Sequence, residues 1–437
     1  MSAPSPPAAR GATGRASGYP WAVVAMLWFI CFFNYADRQA IFSVFKVLER
    51  DLGFNKEELG LIGAAFTIVY SLTAPFAGTV GDRFPRKMVI IGGLYVWSLV
   101  TGFTALCSRV WHFVLVRGAE GLGETFYFPA SMSLISDYHG KRTRSTAMSL
   151  HQTSVYAGTI GGGAFAGVMA QYYGWQWPFV ILGGLGILLG LVLMLYIREP
   201  RRNEAERAEA GGAALESEPV QIPMSRFVVE WMRTPTAMLL VAAFFGANLV
   251  ALLFLTWAPT FLSEKYRMGL AGAGLTGTFF IQAGSMVGAI VGGLMADRWR
   301  RAREGGRILT QAVGTLLGAP FIFLFGYTTQ LGVLIVAMSL FGFLKGIYDS
   351  NIWASLYDVV APSRRAAAVG LMNMVGWMGG ALGAFSLGAL VENKVVTMSQ
   401  GFSYAASIYI LVTALLLVAG LQTVRRDVAR AAEPAAS

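Results

Sequence analysis

Charged residues are scarce in this chain of 437 residues. Asp, Glu, Lys and Arg make up only 13% of it, whereas 55% of the residues are hydrophobic. A soluble domain carries about 25% charged residues, because its surface must stay hydrated and free of large apolar patches. The deficit excludes a disordered chain and an ordinary soluble enzyme, and it indicates an integral membrane protein.

Residue types that bind metals or undergo redox chemistry are also rare. The chain has two cysteines and three histidines, and they are scattered along it without the closely spaced ligand pairs of a typical structural zinc site. Cys31 and Cys107 fall at different predicted depths in the membrane, which argues against a disulfide. We therefore expect no metal, no cofactor and no enzymatic activity.

Long apolar runs are abundant instead. A helix needs about 20 apolar residues to cross a bilayer, and twelve runs approach that length. These predicted spans lie at roughly 21–45, 59–80, 88–107, 111–136, 144–170, 176–197, 236–262, 271–296, 308–327, 331–357, 365–392 and 401–424. The runs do not alternate with a period of two, so transmembrane strands do not fit. The predicted fold class is an all-α membrane protein with 12 transmembrane helices.

Glycine is common, with 52 residues. The runs Gly161–Gly163 and Gly379–Gly380 lack the strand and the lysine of a phosphate-binding loop. We expect them to let neighbouring helices approach closely, as small residues do in membrane proteins.

Basic residues predict the orientation in the membrane. If the N-terminus is cytoplasmic, the inward-facing segments hold 24 of the 34 Lys and Arg residues, the outward loops hold seven, and the spans hold three. Cytoplasmic loops of membrane proteins carry such an excess, so we predict that both termini are cytoplasmic. The net charge of +10 follows from this topology, and no folded domain offers the basic face that nucleic-acid binding requires.

The spans divide into two groups of six. The predicted order is a disordered cytoplasmic tail (1–20), an N-terminal six-helix bundle (21–197), a cytoplasmic linker (198–234), a C-terminal six-helix bundle (235–424) and a second cytoplasmic tail (425–437). The first tail is rich in Pro, Ala, Ser and Gly, a composition typical of disorder. In the linker, the charged stretch Glu204–Ala210 is predicted to form a short helix.

The two halves share a motif. The pattern G-x-x-x-D-R followed by basic residues occurs after span two and again after span eight, 215 positions later. Its residues are Gly78, Asp82, Arg83, Arg86 and Lys87 in the first copy, and Gly293, Asp297 and Arg298 in the second. A second match relates Arg144–Leu150 to Arg365–Leu371 at an offset of 221. Two matches at nearly the same offset indicate a duplication, and therefore two pseudo-symmetric bundles.

Through this motif the whole chain resembles the major facilitator superfamily, whose most specific signature is the loop G-x-x-x-D-R-x-x-R-K. The resemblance implies secondary active transport by alternating access, with the loop residues acting as a cytoplasmic gate. In such a gate, Asp82 would hold the neighbouring bundle in one of two access states. Simple membrane-surface charge is the alternative interpretation of Asp82, Arg83 and Arg86.

Ionisable residues inside the predicted spans mark the candidate site, because a charge at the bilayer centre costs at least about 2.5–3.5 kcal/mol. They are Asp37 and Arg38 in span one, Arg117, Glu120 and Glu124 in span four, and Lys345 and Asp349 in span ten. At 100° per residue, Arg117 and Glu124 share one helix face. Lys345 and Asp349 are spaced i, i+4 and can pair.

The charges of these seven residues do not balance. Three cations and four carboxylates leave a formal charge of −1, so one buried acid is expected to hold a proton near neutral pH. The planar guanidinium groups of two arginines suit a substrate carboxylate. The pattern therefore favours a site for an organic anion and protons. The alternative is an internal salt-bridge network that holds the helices together.

Two segments, Asn34–Arg38 and Arg117–Ala130, resemble spans one and four of the anion:cation symporter family. That family carries sugar acids, hexuronates and other small carboxylates with protons in bacteria. The resemblance implies that Glu124 is the proton carrier, that Asp37 is a second protonation site, and that Arg38 and Arg117 bind the anion or couple it to protons. It also places four polar residues, Tyr35, Tyr70, Gln152 and Asn373, at positions that contact substrate.

Two features depart from that family's pattern. Glu120 adds a carboxylate one turn before Glu124, and we assign it to proton coupling. The Lys345/Asp349 pair adds charge to span ten, and we assign it to substrate binding. Arg117–Glu124 also resembles Spinster-type lipid transporters, which are the alternative within the superfamily, and a channel or receptor is the alternative outside it.

The predicted function is proton-coupled symport of a small organic anion across the bacterial inner membrane. The predicted partners are the anion, protons and the lipid bilayer, and the chain is expected to act as a monomer.

Overall fold

The computed structural model describes residues 18–140, 143–201, 204–205, 231–360 and 365–432, without the side chains at positions 78–83, 145, 366 and 431–432. Within these residues the regular elements are helices. Most of the two predicted tails and of the linker, including the predicted short helix after residue 205, lie outside this description.

The first half of the chain, up to residue 201, contains seven helices in its described part. They are α1 (Tyr19–Leu52), α2 (Lys56–Arg83), α3 (Arg86–Thr104), α4 (Val110–Thr125), α5 (Tyr127–Tyr138), α6 (Arg144–Tyr172) and α7 (Trp177–Tyr196). Predicted span four is therefore divided at Phe126. Pro129 accounts for the break, because it has no N–H to donate to the carbonyl of Thr125.

The described part of the second half begins at residue 231. Its helices are α8 (Pro235–Lys265), α9 (Leu270–Ala302), α10 (Gly306–Tyr327), α11 (Leu331–Asp349), α12 (Ile352–Asp358), α13 (Arg365–Glu392), α14 (Met398–Val418) and α15 (Val424–Ala432), with a π-helical turn at Ala419–Thr423. Predicted span ten is divided between α11 and α12. There the Asn351 side chain donates hydrogen bonds to the carbonyls of Gly292 and Ile347 at 3.1 and 3.0 Å.

Ten helical segments in the described residues are long and apolar enough to cross a membrane, so the chain is a multi-pass membrane protein. The two predicted spans that fall short are the divided span four and span five, which is α6. Helix α6 is rich in Gly, Ser and Thr, and it packs against both α1 and α9. A helix with protein on two sides presents less of its surface to lipid than a peripheral one.

The same order of helix pairing occurs in both halves. In the first half α1 packs on α6, α2 on α4 and α3 on α7, and in the second α8 packs on α13, α9 on α11 and α10 on α14. Between the halves, α2 packs on α13 and α6 packs on α9. The repeated order agrees with the predicted duplication, but the two-bundle symmetry and the cytoplasmic termini stay predictions.

Close helix contacts at two glycines bring the charged segments together. A β-carbon at Gly162 of α6 would lie 2.3 Å from the carbonyl oxygen of Ala36, and one at Gly121 of α4 would lie 2.5 Å from that of Phe66. Real side chains do not approach so closely, so only glycine fits at either position. These contacts set α1 against α6 and α4 against α2, next to Asp37 and Arg38.

Candidate functional site

Arg38 of α1 and Glu124 of α4 form an ion pair in the interior. The Nε of Arg38 donates to Oε2 of Glu124, and the Glu124 side chain is fully buried whereas that of Arg38 is 11% exposed. Among the described residues, the buried Nη1 of Arg38 has no hydrogen-bond partner. One edge of the guanidinium is thus held by Glu124, and a donor remains for another acceptor.

Arg117 pairs with Glu120, one turn further along α4, and not with Glu124. Its Nη1 donates to Oε2 of Glu120, and the hydroxyl of Thr101 on α3 donates to the other Glu120 oxygen at 3.1 Å. The Nη2 of Arg117 also reaches the carbonyl oxygen of Arg38, at 3.5 Å. Arg117 is only 1% exposed, so it is enclosed and connects α4 to the main chain of α1.

Asp37 lies beside these two ion pairs without a cation of its own. It is 1% exposed, and within the described part of the chain its two buried carboxylate oxygens have no hydrogen-bond partner of good geometry. Thr101, Glu120 and Glu124 are among its neighbours. We call the five residues Asp37, Arg38, Arg117, Glu120 and Glu124 the buried cluster. It contains two cations and three acids, one acid more than its cations can balance.

Four aromatic rings surround the guanidinium of Arg38. Its Cζ lies 4.6 Å from the ring centroid of Tyr35, 4.7 Å from that of Phe66, 4.8 Å from that of Tyr70 and 5.9 Å from that of Trp377. We call these four residues the aromatic cage. Rings at such distances attract a cation through their faces, so the aromatic cage stabilises the charge of Arg38.

Sequence reasoning missed Phe66, Thr101 and Trp377. Uncharged aromatic and threonine residues are common in apolar spans, so nothing in the pattern distinguishes these three from residues that only pack. The available signal for Trp377 was its spacing, one turn after the predicted substrate contact Asn373 on the same helix.

The remaining predicted substrate contacts lie on other helices. Gln152 is exposed on α6, and Asn373 is partly buried on α13. Lys345 and Asp349 form a separate ion pair on α11, with side chains 17% and 34% exposed. Tyr156 of α6 faces this pair. The structure thus brings Tyr35 and Tyr70 to the buried cluster and keeps the Lys345/Asp349 pair apart from it.

Among the predicted gating residues of the first half, Gly78, Asp82 and Arg83 lie outside the described side chains. Arg86 pairs with Asp137 at 3.1 Å and with Glu199 at 3.7 Å. The main-chain N–H groups of Arg86 and Lys87 donate to the Glu199 carboxylate at 2.9 and 2.7 Å. These contacts anchor the start of α3 within the first half.

The corresponding region of the second half is similar. Asp358 accepts from Arg300 at 2.9 Å and from Arg307 at 3.0 Å, and Arg307 also reaches Asp297 at 3.4 Å. Arg298 is exposed. Asp137 and Asp358 are 221 positions apart, the offset of the second sequence match. The ion pairs of Arg86, Arg300 and Arg307 therefore join helices within one half.

Ion pairs do cross between the halves at the opposite end of the molecule. Glu264 of α8 accepts from Lys46 of α1 at 3.0 Å and from Lys56 of α2 at 2.7 Å. Glu49 pairs with the same two lysines at 2.8 and 3.4 Å, and the main-chain N–H of Lys56 donates to Glu392 of α13 at 3.0 Å. We call these residues the Glu264 cluster. Sequence reasoning did not single it out, because charges at helix ends are common.

The sequence profile of the Major Facilitator Superfamily matches residues 27–384. The chain belongs to the Major Facilitator Superfamily. The resemblance inferred from the G-x-x-x-D-R motif is thereby confirmed, and the fold is that of a transporter rather than an enzyme.

Relatives of two kinds match most of the chain. It is 26% identical to the probable galactarate/D-glucarate transporter GudP of Escherichia coli K12, over 97% of each chain. It is 30% identical to protein spinster homolog 1 of Bos taurus, over 82% of this chain and 70% of that protein.

A solved structure has the same fold. The crystal structure of a bacterial homologue of the human lysosomal transporter Spinster, in an inward-facing and occupied conformation, matches with a TM-score of 0.79. The two chains are 19% identical, and the match covers 94% of this chain and 99% of that one.

Proposed function

We propose that this transporter is a proton-coupled symporter of a small organic anion, namely a sugar acid, a hexuronate or another carboxylate, in the bacterial inner membrane. The observation that carries the proposal is the Arg38–Glu124 ion pair beside the unpaired acid Asp37. A buried arginine suits a carboxylate ligand, and exchangeable acids next to it suit proton coupling. The similarity to probable galactarate/D-glucarate transporters supports the sugar-acid class.

The proposed coupling follows from charge balance at Arg38. A substrate carboxylate can replace Glu124 as the partner of Arg38 only if the displaced Glu124 is neutralised, since an uncompensated buried charge is strongly destabilising. Glu124 therefore takes up a proton as the anion binds. Asp37 and Glu120 are the further sites of protonation, with Asp37 favoured because it has no cation partner.

The remaining polar residues fit the rest of the anion. The rings of Tyr35 and Tyr70 lie beside Arg38, and their hydroxyls can bond to substrate hydroxyls. Gln152 and Asn373 complete the polar wall, and the Lys345/Asp349 pair meets the far end of the substrate. Arg117, enclosed with Glu120, holds the main chain of Arg38 in position as well as adding positive charge.

Alternating access assigns roles to the two ends of the molecule. With cytoplasmic termini, the Glu264 cluster lies on the outer face and keeps that face closed. The motif residues Gly78, Asp82, Arg83, Arg86 and Lys87, with Asp297 and Arg298 in the second copy, then form the gate at the inner face. The gate closes when the Glu264 cluster opens.

Uptake into proteoliposomes tests the proposal. A vesicle loaded at pH 8 and diluted into pH 6 buffer should accumulate labelled galactarate, D-glucarate or D-glucuronate above the external concentration. The accumulation should collapse with a protonophore and persist without sodium. Strict sodium dependence, or the absence of uptake for every carboxylate, contradicts the proposal.

Lipid or lysolipid transport is the second candidate function, and the 30% identity to a spinster homologue favours it. Spinster-type transporters also share the Arg117–Glu124 pattern. The same vesicles should be assayed for lysophospholipid flux. Lysolipid transport without carboxylate uptake would favour this second function.

A further inference from the structure

Trp377 is the member of the aromatic cage that comes from the second half of the chain. Tyr35 lies on α1, and Phe66 and Tyr70 lie on α2, whereas Trp377 lies on α13. Its ring is 5.3 Å from that of Tyr70 and 5.9 Å from Cζ of Arg38. Trp377 thus meets the first half at the point where Arg38 is held.

The surroundings of Trp377 differ from those of a tryptophan that only packs. Trp257, on α8, is fully buried, and its indole N–H donates to the carbonyl of Ala384 at 2.8 Å. Trp377 is only partly buried. Its face lies next to Arg38, whose buried Nη1 lacks a hydrogen-bond partner among the described residues. A buried donor without an acceptor is costly. Here that donor belongs to the guanidinium beside Trp377, whose ring is still partly exposed.

We infer that Trp377 is a specificity-determining residue, whose indole covers the apolar C–H face of the anion's carbon skeleton while the guanidinium of Arg38, Nη1 included, binds the carboxylate in place of Glu124. The inference rests on the proposed function. Aromatic faces contribute apolar contact area with defined geometry, so the indole of Trp377 favours a carboxylate with an extended carbon skeleton, such as a sugar acid. A short carboxylate such as acetate would bind Arg38 but leave the indole uncovered.

The consequence is that a bound anion of sufficient size contacts both halves at once. Arg38 belongs to the first half and Trp377 to the second, so an anion held by both is enclosed by both. Short carboxylates would not make this contact, and they would therefore be bound weakly and transported poorly.

The test compares two ligands across three variants. Dissociation constants for D-glucuronate and acetate are measured in purified wild type, Trp377→Phe, Trp377→Leu and the control Trp353→Leu. Trp353 packs on Phe244 of α8, with ring centroids 5.3 Å apart. Trp377→Leu should weaken D-glucuronate binding about three- to tenfold and leave acetate binding unchanged, with Trp377→Phe in between. Trp353→Leu should leave the ratio of the two constants as in wild type.

Three results would overturn the inference. Equal weakening of both ligands in Trp377→Leu would show that the indole only supports Arg38, and unchanged binding of both would show that it has no role. If Trp377→Leu fails to fold, two other results together overturn the inference. They are an unchanged ratio of the two dissociation constants in Trp377→Phe, and transport of acetate by the wild type as fast as that of D-glucuronate. Wild type that binds no carboxylate at all would instead refute the proposed function, and this inference with it.

Discussion

Glu124 is the residue on which proton coupling depends in the proposed cycle. Glutamine in its place mimics the protonated acid, so Glu124→Gln should still bind and exchange the anion. It should lose at least about 90% of pH-driven accumulation, because a side chain that cannot release a proton cannot couple transport to the pH gradient. Counterflow and gradient-driven uptake in proteoliposomes separate the two activities. Glu304→Gln, at an exposed position, is the control. Undiminished pH-driven uptake by Glu124→Gln would refute its role.

The acids of the buried cluster should differ in their contributions to stability. Glu120→Gln leaves Arg117 buried without its partner, and breaking a buried ion pair costs about 3–5 kcal/mol. Asp37→Asn removes an acid that has no cation partner, so it should cost much less. Thermal unfolding in detergent should therefore show a lower Tm for Glu120→Gln than for Asp37→Asn. The reverse order would mean that Asp37, not Glu120, balances Arg117.

Anion affinity should depend on pH because binding and protonation are linked. If displaced Glu124 takes up one proton, the affinity rises as pH falls, by at most about tenfold per pH unit. Arg38→Lys keeps the charge but removes the fork and should weaken binding at every pH, as should Arg117→Lys to a smaller extent. Dissociation constants between pH 5 and 8 provide the measurement.

His139 supplies a control for that titration. It lies outside the spans, and burial lowers the pKa of its imidazole below the usual 6.5, so it is neutral over most of the same range. His139→Gln should leave the pH dependence unchanged. A weaker pH dependence of the affinity in this variant would show that the titrating group lies outside the buried cluster.

The members of the buried cluster could be predicted because charge inside an apolar run is conspicuous. Their pairing could be predicted only in part. The spacing i+3 favours a pair between Arg117 and Glu120 within α4, whereas Glu124, at i+7, lies two turns from Arg117. Glu124 instead pairs with Arg38 of α1. That contact joins two helices, so the spacing within one helix does not predict it.

At the scale of the helices, close packing at Gly162 should be indispensable. Alanine there would place its β-carbon 2.3 Å from the carbonyl oxygen of Ala36, and such overpacking costs about 1–3 kcal/mol. Because α1 carries Asp37 and Arg38, Gly162→Ala should lower both Tm and anion affinity. At Gly184 of α7, nothing in the described part of the chain lies within 4 Å of a β-carbon. Gly184→Ala should therefore be neutral, and equal effects of the two substitutions would contradict this view of α6.

Apolar length predicts where helices lie but not where they are interrupted. The continuous apolar run of span four predicts one helix, yet the helix is divided at Phe126, three residues before Pro129. Span ten is divided at Asn351, whose side chain bonds to α9. Both interruptions depend on one backbone or side-chain hydrogen bond, a level of detail that hydropathy does not record.

At the scale of the whole molecule, the Glu264 cluster is proposed to hold its end of the transporter closed. Glu264 is the single acid of α8 that binds both Lys46 and Lys56 of the first half within 3.0 Å. The pairs are partly exposed, so each contributes only about 0.2–1 kcal/mol. That is enough to shift the ratio of two access states that differ by a few kcal/mol.

Glu264→Gln should therefore increase the population that is open at this end by about two- to tenfold. Spin labels at positions 51 and 267, introduced as Asp51→Cys and Arg267→Cys after replacement of Cys31 and Cys107, report the distance between α1 and α8 at that end. The fraction of molecules with the longer distance should increase in Glu264→Gln. High salt should produce the same shift in the wild type, because screening weakens exposed ion pairs. Glu57→Gln, a substitution at the same end that leaves Lys46 and Lys56 with their partners, should leave the distribution unchanged. Identical distance distributions with and without Glu264 would mean that helix packing at α2 and α13, rather than this ion cluster, keeps the end closed.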